Sequence, residues 1–453
     1  MLDVATTSEC DKTTYVVFLE FIAEQLNREM RHGVRETGKR PREAYVNDMV
    51  SSIPKRFKSS DVQSELAVQL PSYGEVRRCQ LTRHRTHSCI PVPDPLSIPN
   101  ELRTTLRGRE ALDGDVNKDE PFLLYSGQGG RLLVFCAKSE LAALYASEYI
   151  VCDGTFEMAP ETAYQLYTLH GFVNGEALAM AWALLPNKTQ QTYEEFFGAV
   201  RSAFITNFGD SGCSRTFIAD FEAAAIKALY AVFPTDRVKG CTFHFRQAVL
   251  RRITMEGLRC QYEDKDSSCQ LRDWMRLLMS MTVLPTFAVP LVWTWLRYPP
   301  STCNVDVDTK AVALAAYFER TWIAGDFRHE LWTHYDNVGP RTTNVAEGWH
   351  SSLNTHFGTP HPSLRVFLDW LQKCQYQVQL RGIQLASGKK PKQRRAAYVH
   401  VDNELWQAKT QYSFQIGHVF SCATPDSWDW SMQQFHAATH HYLRRCSYVL
   451  GCC

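Results

Sequence analysis

The 453-residue sequence has no dominant sign of charge: 49 Lys and Arg stand against 48 Asp and Glu, a net of +1. A chain so balanced has no global pull toward nucleic acid or an acidic membrane, so a polyanion partner must be held by local basic stretches. A secretory leader is also missing, because the opening MLDVATTSECDKTTYVV is acidic and hydroxyl-rich and the first apolar run is broken by Glu20. Long hydrophobic runs are scarce. The strongest, Leu277 to Leu296, carries twenty uncharged residues, enough on length alone to span a bilayer. Pro285 and Pro290 interrupt it, and its flanks RDWMR and RYPP continue patterns of packed helices, so it reads as a buried two-helix elbow and no transmembrane segment is expected.

A cysteine lattice is lacking too. Fifteen cysteines are scattered from Cys10 to Cys453, and with no leader, reduced intracellular thiols are the expectation. Cys79, His84, His87 and Cys89 are irregularly spaced, as are His436, His440, His441, Cys446, Cys452 and Cys453. Neither cluster reproduces a C-x2-C…H-x3-H pattern, so a structural zinc is not expected at either. There is no internal repeat, and the only low-complexity patch is GKKPKQRR, residues 388–395.

What the chain does have is 45% hydrophobic and 12% aromatic residues, enough for a substantial core, which excludes a disordered or fibrous protein. Its length allows about three domains. Residues 1–115 are polar, with a helical start (Tyr15 to Arg31), a basic stretch from Arg28 to Lys58 in which nine Lys or Arg face four Asp or Glu, a second patch at Arg77, Arg78, Arg83 and Arg85, and a Pro-rich linker from Ile90 to Pro99. These basic residues fit a solvated surface and a phosphate-contacting one equally well.

From Phe122 the texture becomes β-rich: FLLYS, RLLVFCA, YIVCD, YQLYTLHGFV and ALAMAWALLP, with turn signals at Gly127, Gly129, Gly130 and Asn174-Gly175. YEEFFGAVRSAF has helical spacing, TFIAD is a strand running into the helix AAAIKALYAVF that Pro234 stops, and VKGCTFHF reads as a further strand. The expected fold is α/β, a mixed sheet flanked by helices, with residues 116–245 as the first part of the core. Residues 246–340 read as an all-helical insertion or lid, 341–385 as the helix completing the core, and 386–453 as a basic tail containing Cys and His.

Three acidic residues draw attention by position. Asp153 closes YIVCD before Gly-Thr, and Asp220 closes TFIAD at a strand-to-helix junction. Carboxylates at adjoining strand tips repel as bare ions and are readily tolerated when hard divalent cations bridge them, Mg2+ or Mn2+ being the natural occupants. Each also has a plainer reading: Asp220 as the N-cap of a helix beginning at Phe221, and Asp153 as a turn cap. The third is Glu347 in TTNVAEGWHSSLNTHF. Val345, Trp349, Leu353 and Phe357 make an apolar stripe at steps of four, and Asn344, Glu347 and Asn354 fall on a separate polar face pointing away from the core. Gly348 inside this helix costs roughly 1 kcal/mol against Ala, so something is expected to approach that face. Trp349 reads as core and His350 as near the substrate.

Six blocks in order, DGTF at Asp153, YQLYTLHG at Tyr164, ALLPNKTQQTYEEFF at Ala183, ADFEAAAIKA at Ala219, FPTDRVKGCTFHFRQAV at Phe233 and RTTNVAEGWHSSLN at Arg341, resemble the Mutator-like element (MULE) transposases. The resemblance runs over about residues 120 to 375. It implies an RNase H-like catalytic domain with a DDE triad, carried here by Asp153, Asp220 and Glu347 as ligands of two Mg2+ or Mn2+ ions. It further implies cutting and joining of DNA, a homo-oligomer that pairs transposon ends and engages target DNA, and nuclear action with GKKPKQRR as an import segment. The family's C-x2-H signature is matched by Cys241 and His244, which two ligands alone cannot close into a zinc site; a structural or DNA-strand role fits as well. Asn344, His350, Asn354, Lys239, Arg246 and Arg341 are candidate DNA contacts, with Lys188, Arg251 and Arg252 along the same path, although for each basic residue the favoured individual reading is an ordinary solvated side chain. Many relatives carry a FLYWCH- or WRKY-like module before the core or a SWIM finger with C-x-C and C-x-H pairs after it. Neither pattern is found here, which leaves a second reading open: a domesticated or truncated transposase-derived DNA-binding or regulatory protein without catalysis.

Overall fold

The computed structural model describes residues 60–70, 97–106, 120–209, 214–264, 270–357, 360–421 and 428–450, with residues 19, 22, 23, 25 and 26 before them. The basic stretch from Arg28 to Lys58, the patch at Arg77 to Arg85, the Cys79/His84/His87/Cys89 cluster, Cys452 and Cys453 lie outside the described residues. The five described positions before residue 27 are helical, within the helix expected over residues 15–31.

Seven strands form a mixed sheet in the order β1-β2-β5-β4-β3-β6-β7: β1 (Leu123–Gly127), β2 (Leu132–Phe135), β3 (Tyr149–Thr155), β4 (Gln165–Val173), β5 (Glu176–Leu185), β6 (Thr216–Ala219) and β7 (Arg237–Gly240). The pairs β1/β2, β2/β5, β4/β5 and β3/β4 are antiparallel, and β6/β7 is parallel. The β4–β5 hairpin turns at Asn174 (φ 46°) and Gly175 (φ 84°). Both central residues of a type I′ turn need positive φ, which Asn-Gly supplies at little cost and which matches the right-handed strand twist.

By packing, the described residues fall into two compact units, each taken by itself. The first comprises Met1–Arg215, Ala223–Asp236 and Asn344–Pro391. Its helices are α1 (Ser60–Gln69), α2 (Lys138–Ala146), α3 (Gln190–Phe208), α4 (Ala223–Val232), α9 (Asn344–Phe357) and α10 (Leu364–Ala386). The second comprises Thr216–Glu222, Arg237–Thr343 and Lys392–Cys453, with α5 (Thr242–Met255), α6 (Gln270–Ser280), α7 (Ala288–Leu296), α8 (Val305–Phe318), α11 (Ala396–Ser421) and α12 (Trp428–Val449).

In the first unit the strands are buried almost continuously, as expected when helices cover both faces. On one face Tyr167 packs its ring against Tyr193, Phe196 and Phe197 of α3. That helix opens with the Thr189 side chain accepting from the Thr192 amide, a hydroxyl N-cap, and closes at Gly209 with φ 78°. On the other face Trp182 meets Phe122 and Trp349, and Trp349 meets Trp370 of α10.

The second unit gathers the helical side chains around Phe245, Trp322 and Trp332, which are all buried; Phe245 stacks on Trp332 with ring centroids 5.3 Å apart. Tyr412 of α11 stacks on Tyr442 of α12 at 4.3 Å. Leu277 to Leu296 is the expected elbow: α6 ends at Ser280, a 3-10 turn follows, and α7 starts beyond Pro285. Among the described residues no helix is long and apolar enough to cross a membrane. His436, His440, His441 and Cys446 are strung along α12.

Three expectations are corrected. VKGCTFHF is not one strand: β7 stops at Gly240, and α5 runs from Thr242 with Cys241 as its N-cap. The alternating pattern is real, but Phe245, Val249 and Ile253 repeat at helical spacing and are all buried. The helix after β6 begins at Ala223 and not Phe221, so the N-cap position falls to Glu222 and Asp220 does not occupy it. Lastly, β3 does not end at Asp153. It continues through Gly154 and Thr155, paired with Tyr167 and Leu166, and a Cβ at Gly154 would run into the Gln165 and Tyr167 side chains, so only glycine fits that close approach.

Candidate active site

Asp153 is the fifth residue of β3 and stands opposite Thr168 of β4. Opposed residues in a strand pair project to the same face, and α9 packs there. The Asp153 carboxylate is buried, its Oδ2 3.2 Å from Nδ1 of His350 on α9. The other ring nitrogen, Nε2, lies 3.3 Å from the Thr168 hydroxyl, and that hydroxyl lies 3.0 Å from Nε2 of His170 and 3.2 Å from the Asp153 carbonyl oxygen. Four buried polar side chains from β3, β4 and α9 therefore make a continuous row. Burial, reinforced by the neighbouring His350, pushes the His170 imidazole down to about 3, so His170 is neutral at physiological pH. Its ring stands edge-on to Trp349 at 5.8 Å.

The helix face differs from the expected one. Ala346, His350 and Leu353 are its buried residues, Val345 is 40% exposed, and Trp349 and Phe357 are partly buried against the first unit's core. The apolar stripe at steps of four misplaces the buried side because Val345 precedes the first packed turn and the polar His350 takes a core position. Glu347 is half-buried, not turned away from the core. It lies one turn before His350, and i, i+3 neighbours share a helix face. Asn344 and Asn354 are exposed.

In the second unit, Asp220 follows β6 directly and is half-buried. Cys241 is buried at the start of α5, where its thiol accepts hydrogen bonds from the Thr343 amide (3.3 Å) and hydroxyl (3.5 Å). His244, half-buried in the first turn of α5, lies against Phe243. Two candidate DNA contacts are tied down internally: the Lys239 ammonium donates to the carbonyls of Glu330 (2.7 Å) and Thr333 (2.8 Å), and Arg341 pairs with Asp402. Burial lowers the Lys239 pKa. Arg246 is half-buried, Arg251 bonds to Gln247, Arg252 pairs with Glu256, and Lys188 is exposed beside the Phe156 ring.

Thr168 and His170 are the site residues that the sequence reading passes over. Their signal is faint: two polar residues at i and i+2, hence on one face, in a strand otherwise apolar from Leu166 to Phe172. Glu140 of α2 is missed as well; it is buried, and both its oxygens accept from the Gln375 amide at 3.1 Å. Among the described residues no three His, Cys, Asp or Glu side chains are gathered as a metal-holding group.

The fold is a mixed α/β sheet flanked by helices, with a buried carboxylate–histidine contact on one face. Residues 149–248 match the family model of the MULE transposase domain. That stretch is similar to a MULE transposase domain, and Asp153 and Asp220 both fall inside it. Neither a curated protein nor a solved structure matches the chain.

Proposed function

We propose that the chain is a DDE-type transposase with an RNase H-like catalytic domain, cutting and joining DNA with Asp153, Asp220 and Glu347 as its carboxylate triad and two Mg2+ or Mn2+ ions as cofactors. The observation that carries this reading is the grip of α9 on β3: the helix bearing Glu347 holds, through His350, the carboxylate of Asp153 inside the stretch similar to a MULE transposase domain. The donor type suits hard cations, since all three side chains offer carboxylate oxygens. Such ions would supply the acidification of an attacking water and the neutralisation of charge on the leaving 3′ oxygen. Asp153, Asp220 and Glu347 would hold them, and the buried Thr168, His170 and His350 beside Asp153 keep water from that side of the carboxylate. Hydrolysis frees a 3′ hydroxyl on the transposon end, which attacks target DNA, so no covalent protein nucleophile is required. Action in the nucleus on paired DNA ends, by a homo-oligomer, belongs to the same proposal.

The test needs no knowledge of the DNA ends. In a calorimetric Mn2+ titration the natural protein binds, and Asp153→Asn, Asp220→Asn and Glu347→Gln each weaken binding at least about 10-fold, because each removes a ligand, with circular dichroism unchanged. No binding by the natural protein, or equal binding by all three variants, overturns the metal triad. The reading then becomes a transposase-derived DNA-binding protein without catalysis, which the lack of a gathered three-ligand group among the described residues favours.

A further inference from the structure

We infer that Phe156, Tyr164 and Lys188 form a seat for an unpaired base of single-stranded DNA, the two rings stacking on the base and the lysine answering its phosphate. The inference rests on the reading that this chain acts on DNA, and it needs neither bound metal nor catalysis.

The three residues come from the same end of three adjoining strands of the first unit. Phe156 follows β3 directly, Tyr164 comes just before β4, and Lys188 lies three residues past the end of β5. Thr155 pairs with Leu166 and Gln165 with Leu185, so these strand ends are neighbours. The Phe156 and Tyr164 rings meet edge to face, with centroids 5.4 Å apart and planes at 72°. The Lys188 ammonium stands 5.9 Å from the Phe156 centroid.

Single exposed hydrophobic residues are ordinary, but these two touch each other on a backbone that is fixed. The Ala159 amide donates to the Phe156 carbonyl (3.2 Å), the His361 amide to the Glu157 carbonyl (2.8 Å), the Glu161 amide to the Pro362 carbonyl (3.3 Å) and the Tyr164 amide to the Leu185 carbonyl (2.9 Å). Met158 and Ala159 anchor the loop in the core of the first unit. The middle of the loop thus secures the fold, while Phe156 and Tyr164 stay 42% and 48% exposed. Rings set in place beforehand lose little freedom when a partner binds.

The chemistry of that partner follows. Two ring faces at a corner fit a planar group. Lys188 is exposed and sits near the outer limit of a cation–π contact, about 6 Å, so its flexible stem can carry the ammonium to a phosphate at little loss. Glu157 and Glu161 on the same loop are exposed acids, so the patch has no net positive charge, and stacking must supply most of the grip. That selects an unpaired strand, since every base in it has a π-face to offer, whereas a base inside a duplex must first be unstacked. The location agrees: Phe156 is three residues beyond Asp153, about 10 Å along an extended chain, which is a few nucleotides of strand from the carboxylate proposed at the cut.

The test uses the full chain with chelator present. The probe is oligodeoxythymidylate, alone or annealed to oligodeoxyadenylate, at about 0.3 M salt so that purely phosphate-driven binding is weakened. The natural protein should bind the single strand more tightly than the duplex. Phe156→Leu and Tyr164→Leu keep apolar bulk and remove the π-face, and each should raise the single-strand Kd about 5- to 100-fold with an unchanged thermal midpoint. Phe156→Tyr, which keeps a stacking ring, should stay within about threefold. Lys188→Gln should cause a smaller loss and flatten the salt dependence by a slope of roughly 0.7. With 5-iododeoxyuridine in place of thymidine, irradiation should join the strand to Phe156 or Tyr164, read by mass spectrometry. Leucine variants that bind as well as the natural protein, or crosslinks that fall only elsewhere, overturn the seat and leave the DNA reading standing. Losses in the leucine variants support the seat even where no Mn2+ binds, in which case the metal triad alone has failed. A natural protein that does not bind the single strand overturns the seat, and if it binds no duplex either, the DNA reading falls with it.

Discussion

Around Asp153 in the first unit, buried polar atoms bond to one another: carboxylate to imidazole, imidazole to hydroxyl, hydroxyl to a second imidazole. Around Trp332 in the second unit several bond to the backbone. The Trp332 indole donates to the Trp322 carbonyl (3.2 Å), His334 from Nε2 to the Gly240 carbonyl (2.7 Å), and the Tyr442 hydroxyl to the Val283 carbonyl (2.8 Å). The contrast is sharpest between two histidines. His334 is held neutral by burial, its pKa lowered to about 3; its Nε2 donates to a main-chain carbonyl and its Nδ1 accepts from the Asn337 side-chain amide. The polar contacts of His350 are instead to side chains, the Asp153 carboxylate and the Thr168 hydroxyl.

The largest expected effect lies in the second unit. Trp332 is fully buried and stacked on Phe245, so Trp332→Ala leaves a cavity and an unanswered Trp322 carbonyl and should cost about 3–5 kcal/mol in chemical denaturation. A loss below about 1 kcal/mol would break the comparison, because that core would then not depend on its aromatic packing. Next comes Glu140 in the first unit, whose carboxyl is pushed up to about 7 by burial against the opposing pull of Gln375. With its folded pKa raised, the folded state holds the proton more tightly than the unfolded one. Its stability contribution is full below about pH 4.5, declines up to about 7, and is level above. Glu140→Gln keeps an acceptor for Gln375 and removes the ionisation. The variant should match the natural protein near pH 4.5 and exceed it by up to about 3 kcal/mol at pH 8, read as the difference between urea unfolding free energies across pH. A difference that does not change with pH would show that Glu140 belongs with the groups around Trp332.

These two residues also mark what the sequence could and could not disclose. Strand periodicity, the Asn174-Gly175 turn and the prolines between α6 and α7 are local signals, and the sheet and the elbow follow from them. The helix α2 was not legible, because its inward face carries Glu140, a charge pattern that reads as surface until Gln375, 235 residues away, is seen beside it. The start of α5 was misread for a similar reason: the amide of Thr242 is answered by the carbonyl of Arg341, a partner no window of sequence contains. At the candidate site, Asp153 and Glu347 could be picked out from the chemistry of their neighbours. Thr168 and His170 could not, since the row exists only when α9 delivers His350 across 182 residues to β4.

A smaller effect tests the main-chain anchors directly. Tyr442→Phe keeps the ring stacked on Tyr412 and removes the hydroxyl that donates to the Val283 carbonyl and contacts Cys446, so it should cost about 1 kcal/mol in the same denaturation experiment. A neutral result would mean that water replaces the hydroxyl and that the anchor is not needed for the fold.

The smallest effect belongs to the exposed ion pair Arg259–Glu263 in the second unit, at 2.5 Å with side chains 48% and 56% exposed. A short distance does not make it strong. Both partners are well solvated, two long side chains lose freedom to meet, and the order along the helix, cation before anion at i, i+4, is the less favourable one. Arg259→Gln should therefore lower stability by less than about 0.5 kcal/mol at low salt, and the difference should vanish near 1 M salt, where the screening length is about 3 Å. A loss above about 1 kcal/mol that persists in high salt would mean that surface charge carries stability in the second unit. The division would then not lie between backbone-anchored and side-chain-linked polar groups, and His350 would lose its claim to be a different kind of histidine from His334.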